Sequence, residues 1–125
     1  MLDYEQYLSI VDLVHDNKIP EVLTAFNEII KKGFDAHQFI AGLGNHFRDV
    51  MMSQNPHTIN LIEVGEKSKV KFAEQGKLWS PQLLIDALEI CNHADIHYKI
   101  SKNPRLTVEI ALMQLSSLHN QGEGT

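Results

Sequence analysis

The sequence predicts an all-α fold, a compact bundle of about five to six helices. Apolar residues recur at spacings of three and four along most of the chain, which is the period of one helix face. No segment shows the alternation of apolar and polar residues that is typical of a half-buried strand. Two further signals, Ser80-Pro81 and Asn103-Pro104, combine an N-cap side chain with a proline at the first helical position.

The first half of the chain is predicted to form three amphipathic helices. The second begins at Pro20 and ends at Lys31-Lys32-Gly33, because two cations and a glycine are typical of a helix C-terminus. The third begins after Asp35, with Gln38 placed as in a capping box, and ends near Asn55-Pro56. The apolar stripes of the three helices are Tyr4, Tyr7, Leu8, Val11 and Val14; then Val22, Leu23, Phe26, Ile29 and Ile30; then Phe39, Ile40, Leu43, Phe47, Val50 and Met51.

The middle of the chain has a weaker pattern. Residues 59–64 fit either a short helix or an extended piece, and residues 66–75 read as a polar helix that ends at Gly76. Residues 120–125 are polar and contain glycine, which predicts a fraying tail or the start of a linker after a domain at 1–119.

The two longest apolar runs lie at about 81–101 and 104–119, and we expect these helices to be central. Ile85 and Ile90 lie off the main stripe of the first run, so that helix is apolar over most of its circumference. A helix that is apolar nearly all round is a buried one. Since a domain this small has little room for two central helices, we expect part of their surface to contact another chain.

The composition excludes several classes of protein. No apolar run approaches the ~18 residues that a membrane-spanning helix needs, and no signal peptide is recognisable, which predicts a cytoplasmic protein without membrane contact. The net charge of −5 opposes strong direct binding to nucleic acid, because that binding depends on Lys and Arg. The single cysteine, Cys91, lies on an apolar face and is predicted to be a buried thiol.

A metal site is the main alternative hypothesis. His93 and His97 lie four residues apart on a helix, with Asp95 between them, and two such imidazoles can face one ion. Ala94 occupies the position where the H-E-x-x-H pattern requires glutamate, and no third ligand follows at a familiar spacing. The alternative function is therefore a small helical metal-binding protein or enzyme that uses His93 and His97.

Other polar and small residues of the chain have ordinary structural explanations. His46, Arg48 and Asp49 allow an acid–base pair, but the pattern favours a solvated helix face with local ion pairs. Gly42 and Gly44 lie inside an apolar helix, where they favour close helix packing. Four lysines of the middle segment favour a solvated helix over a nucleic-acid groove: Lys67, Lys69, Lys71 and Lys77.

A series of short motifs is distributed along nearly the whole chain. They are Leu2-Asp3-Tyr4 with Tyr7, the run from Glu28 to His37, the run from Gly42 to Asp49, Leu61 to Val64, Ala94-Asp95, Tyr98-Lys99, Ser101 to Leu106, and Val108 to Leu112. In this order they resemble the third domain of the gamma/tau subunit of the bacterial DNA polymerase III clamp loader. They are most similar in kind to the versions of this domain from the Bacteroidetes.

The resemblance implies an all-helical collar domain that acts in DNA replication. In that family the third domain holds gamma/tau subunits together with the delta and delta-prime subunits in a five-membered ring. ATP, with its Mg²⁺, is bound by two preceding ATPase modules, which this sequence does not contain. The resemblance therefore implies an oligomerisation module with no cofactor, metal or catalytic residue of its own, and it leaves open whether Met1 is the natural start.

The expected subunit interface lies on the last long helix. A ring in which subunits meet head to tail needs two different surfaces on each subunit. We expect Leu106, Ile110 and Met113 to contribute to such an interface, with Arg105 and Glu109 at its rim. Arg105 and Glu109 lie four residues apart, so they can pair with each other or reach a neighbouring subunit.

Overall fold

A computed structural model describes residues 2–123, and the side chains of residues 2–120. Seven helices and one turn of 3-10 helix make up this part of the chain, which contains no strand. The helices are α1 (Tyr4–His15), α2 (Ile19–Lys31), α3 (Ala36–Ser53), α4 (Glu66–Gly76), α5 (Pro81–Tyr98), α6 (Pro104–Ser116) and α7 (Leu118–Glu123), and the 3-10 turn is Ile59–Leu61. The predicted all-α fold is confirmed.

The helix boundaries follow the predicted caps. Asp35, Ser80 and Asn103 precede α3, α5 and α6, and each side chain accepts a hydrogen bond from a backbone N–H in the first turn of its helix. Gly33, after α2, has a φ of 93°, a left-handed conformation that glycine adopts without strain. These caps set where α3, α5 and α6 begin, and therefore where the chain turns between them.

The core is built around α3 and α6. Five side chains of α3 are fully buried, namely Phe39, Ile40, Leu43, Phe47 and Val50. The helix packs against α1, α4, α5 and α6, while α6 also contacts α2 and α7. The predicted central position therefore holds for α6, and α3 shares it.

The apolar circumference of α5 is not all buried within the chain, and part of it is left exposed, as expected for a helix that a domain this small cannot cover completely. Only one face of α5, with Leu84, Ala87, Cys91 and Ala94, enters the core, because α3 and α6 already fill the interior. Off this stripe, Ile85 is exposed.

Helix α6 is shorter than the helix that was predicted at 104–119. It ends at Ser116, where the hydroxyls of Ser116 and Ser117 donate to the carbonyls of Leu112 and Met113, four residues earlier. Such back-bonding competes with the helical ladder and favours a bend or an end. Residues 120–123 of the predicted tail lie in α7, and residues 124–125 lie outside the described part of the chain.

Gly42 lies where α1 crosses α3. A Cβ on Gly42 would overlap the Tyr7 hydroxyl, which donates a 3.1 Å hydrogen bond to the carbonyl of Phe39. At Gly44 a Cβ would lie 3.4 Å from the Cβ of Cys91, an ordinary contact. Of the two glycines within α3, only Gly42 is therefore required by close packing.

We expect Gly42→Ala to destabilise the fold by about 1–3 kcal/mol, since Tyr7 must move and lose its hydrogen bond. Gly44→Ala is the matched control, and should be neutral or stabilising by up to ~1 kcal/mol through helix propensity. Urea unfolding of both variants measures the difference. Equal stability of the two would contradict the close contact at Gly42.

A buried polar network joins α1, α3 and α4. The Gln75 amide group donates to the carbonyl of Leu8 and to the Asp12 carboxylate, both at 2.9 Å. Its oxygen therefore accepts from Nε2 of His46, at 2.7 Å. Burial lowers the pKa of His46 from 6.5 to about 4, although the bond to Gln75 and the charge of Asp12 oppose this shift.

The prediction of a solvated face is thus wrong for His46, which is 4% exposed. Arg48 and Asp49 do form the predicted local ion pair, at 3.2 Å. His46 faces inward because its hydrogen-bond partner comes from α4, a helix that is distant along the chain.

Stability should fall as the pH is lowered from about 6.5 towards 4. The folded state holds His46 neutral, whereas the unfolded chain binds a proton near pH 6.5, so acid favours unfolding. A shift from 6.5 to about 4 corresponds to about 3 kcal/mol lost by pH 4. We expect His46→Gln to flatten this part of the curve of unfolding free energy against pH, while the exposed His57→Gln leaves the slope unchanged. An unchanged slope in His46→Gln would refute the assignment.

Candidate functional site

The exposed apolar side chains of α5 and α6, with the turn between them, form the α5–α6 face. Ile96 and Ile100 are 60% and 75% exposed, and Leu106 and Ile110 are 44% and 45% exposed. Leu106 and Ile110 are four residues apart on α6 and so lie on one side of that helix, whereas Ile96 is on α5 and Ile100 is in the turn that follows it. Single exposed apolar residues are ordinary, but four on two helices that pack together and on the turn between them form a candidate contact surface.

A groove of about 380 Å³ runs between the two helices of this face. Ile90, Ile100 and Ile110 contribute apolar walls, and His93 and His97 lie along the α5 side. The groove is open to solvent on the outer side of the bundle, so a side chain from another molecule can enter it.

The predicted interface residues all lie on α6, with different exposures. Leu106 and Ile110 are exposed, and Met113 is half-buried. Arg105 and Glu109 pair with each other within the chain, with 3.4 Å between Nε and Oε2. Leu106 and Ile110 are therefore the members of the predicted set that offer most apolar surface.

Arg105 has further partners in α2. Its Nη2 donates to the side-chain oxygen of Asn27 at 2.8 Å. Its guanidinium carbon lies 5.6 Å from the centre of the Phe26 ring, within the range of a cation–π contact. These contacts attach the start of α6 to α2.

The turn between α5 and α6 has its own hydrogen bonds. The hydroxyl of Ser101 accepts from the backbone N–H of Asn103 at 3.1 Å. The hydroxyls of Ser101 and Thr107 are also bonded to each other, at 2.9 Å. The turn therefore has a defined shape next to the exposed Ile100.

Ile96 and Ile100 are the two most exposed apolar residues of the face, and they are not among the predicted interface residues. Ile96 lies off the buried stripe of Leu84, Ala87, Cys91 and Ala94, and Ile100 comes after the end of α5 at Tyr98. Because Ala94 and Cys91 face the core, Ile96 lies on the outer side of α5, and Ile100 lies in the turn that follows the helix.

His93 and His97 do not converge with Asp95 on a common point. The two rings are stacked, with centroids 3.9 Å apart, and Nδ1 of His97 donates to the carbonyl of His93 at 2.9 Å. Asp95 instead bonds Nε2 of His37, at 2.6 Å, and so links α5 to the start of α3. His37 also stacks on Tyr98, with centroids 4.5 Å apart.

Among residues 2–120, no group of three or more His, Cys, Asp or Glu side chains is arranged to hold a metal ion. Zinc needs three or four protein ligands, and two stacked imidazoles do not supply them. The geometry of this part of the chain gives the metal hypothesis no support.

Cys91 is the buried thiol that was predicted, with 2% exposure. Burial, with a smaller effect of Asp95, raises its pKa to about 12. The thiol therefore stays protonated at neutral pH, which makes it a poor nucleophile.

The family model described as DNA polymerase III subunits gamma and tau domain III matches residues 1–123. The DNA polymerase III subunit tau of Bacillus subtilis (strain 168) is 26% identical over 110 residues, which are 86% of this chain and 19% of that protein. The chain thus spans about a fifth of the length of this curated relative.

Among solved structures, the Bacillus subtilis DNA clamp loader delta protein (YqeN) has a similar fold. The match has a TM-score of 0.72 and 22% identity, and covers 90% of this chain and 36% of that one. In addition, none of the helices within residues 2–123 is long and apolar enough to cross a membrane.

We expect the purified chain to bind no stoichiometric zinc. His93 and His97 offer only two nitrogens, and Nδ1 of His97 is used by the carbonyl of His93. Isothermal titration with ZnCl₂ at neutral pH tests this, with His93→Ala as the comparison. Binding of one zinc ion per parent chain that is lost in His93→Ala would contradict this expectation and support the metal hypothesis.

Proposed function

Because the chain belongs to the family of domain III of DNA polymerase III subunits gamma and tau, we propose that it is a structural oligomerisation module of a clamp loader. Its role is to hold gamma/tau subunits together with the delta and delta-prime subunits in the collar during DNA replication. The module makes and breaks no bonds, and ATP and Mg²⁺ are bound by other parts of the full-length protein. We place its site of action in the cytoplasm.

The observation that carries this proposal is the α5–α6 face. Its four isoleucine and leucine side chains remain 44–75% exposed although the interior is filled by Phe and Leu residues of other helices. Covering such side chains with a neighbouring subunit removes apolar surface from water, at roughly 25 cal/mol per Å² before the cost of association. Arg105 and Glu109 at the edge supply the polar rim that interfaces commonly have.

We expect Ile110→Lys to weaken association by about tenfold or more, since it places a charge in the centre of the face. Sedimentation velocity over a wide concentration range measures this for the chain alone and for the chain mixed with the delta subunit of the same organism. Leu61→Lys is the matched control, because Leu61 is 60% exposed on the 3-10 turn, outside the face.

Circular dichroism and thermal unfolding check that both variants keep the monomer fold. If Ile110→Lys unfolds, then Met113→Lys and Leu106→Lys serve as further probes at the same face. Normal association of all folded face variants with every partner would contradict the proposal, as would the absence of association in the parent chain and in its mixture with delta.

A further inference from the structure

The turn that joins α5 to α6 carries a concentration of positive charge. Residues 96–108 contain three cations and no carboxylate, in a chain whose net charge is −5. Lys99 and Lys102 are exposed on either side of Ile100, the most exposed large apolar residue described. We refer to Lys99, Ile100 and Lys102 as the basic tip.

The opposite charge collects along α1. Residues 1–17 contain four carboxylates and neither lysine nor arginine. A groove of about 510 Å³ lies between α1 and α4, and we refer to it as the acidic groove. Its lining includes Glu5, Asp12, Lys71 and Glu74, with Leu8 and Leu78 among them.

The charges of the acidic groove do not cancel. Lys71 forms an ion pair with Glu5, which leaves Asp12 and Glu74 as the excess negative charge of the lining. Leu78 is 51% exposed at the same site, so the groove offers apolar contact as well as charge. A ligand that fits this lining has a branched apolar side chain flanked by cations.

The basic tip and the acidic groove lie at opposite ends of α5. Leu78 comes just before α5, and Ile100 comes just after it. An 18-residue helix is about 27 Å long, so the tip of a molecule is far from its own groove. A second molecule can bring a tip to the groove without any change of fold.

We propose that the basic tip of one copy of this chain docks into the acidic groove of a second copy. Ile100 is covered against the exposed Leu78, while Lys99 and Lys102 approach Glu74 and Asp12. The contact joins two different surfaces, so it is made either once between each pair of neighbours, which gives a ring or a filament, or twice and reciprocally in a two-fold dimer. This inference rests on the proposed function only in that the chain associates with clamp-loader subunits.

Charge reversal tests the docking directly. The tip variant K99E/K102E places like charges against the groove. The groove variant E5K/E74K does the same against the tip, since it also deprives Lys71 of its ion-pair partner, and it keeps Asp12 for its bond to Gln75. Sedimentation velocity should show that each variant alone self-associates about tenfold or more weakly than the parent chain. An equimolar mixture of the two variants should recover association, because every tip then meets a groove of opposite charge.

Two matched controls carry the same changes of charge on exposed positions of α2 and of the residues that cap its two ends. K18E/K32E and E21K/E28K should associate like the parent chain, which excludes an effect of net charge. Association of the parent should also weaken when the NaCl concentration is raised, since exposed charges are screened.

The possible outcomes separate this inference from the proposed function. Self-association that is unaffected by either variant overturns the docking and leaves the proposed function standing. A parent chain that is monomeric at all concentrations but binds delta also overturns the docking alone. A parent chain that binds neither itself nor delta overturns both. Loss in each variant with recovery in the mixture supports the docking.

Discussion

Helix α3 fills the interior of the bundle, and the other helices are arranged around it. Five of its side chains, including Phe39, Phe47 and Val50, are completely buried, and α1, α4, α5 and α6 pack around it. Since α3 occupies the space between them, α5 reaches the core with a single face. The apolar residues on the other faces of α5 must then lie at the surface, and the α5–α6 face follows from that crowding.

A second constraint is polar, and it sets the position of α4. Gln75 is the one side chain of the described network that bonds both α1 and α3, through Leu8, Asp12 and His46. Leaving the Gln75 amide or the His46 ring buried without a partner would cost about 1–3 kcal/mol. The network therefore favours one placement of a helix that is otherwise mostly polar, and that placement creates the groove between α1 and α4.

Local signals in the sequence predicted the helices, their caps and the resemblance to the family, because a cap such as Asn103 acts within one turn of chain. Contacts between distant segments were not predictable in the same way. His46 meets Gln75 across 29 residues, and His37 meets Asp95 across 58. The spacing of apolar residues likewise showed that α5 has apolar residues on several sides. It did not show that Ile96 and Ile100 are the ones left in water, because that depends on which face α3 occupies.

The contacts of Arg105 have a consequence for recognition. Its bond to Asn27 and its position over Phe26 hold the start of α6 against α2, and the hydroxyl of Ser101 holds the turn before it. A segment that is ordered in the free molecule loses little conformational entropy when it binds. The turn between α5 and α6 is thus preorganised for binding. The favourable free energy of its contacts with a partner is therefore offset little by the entropy cost of ordering the turn.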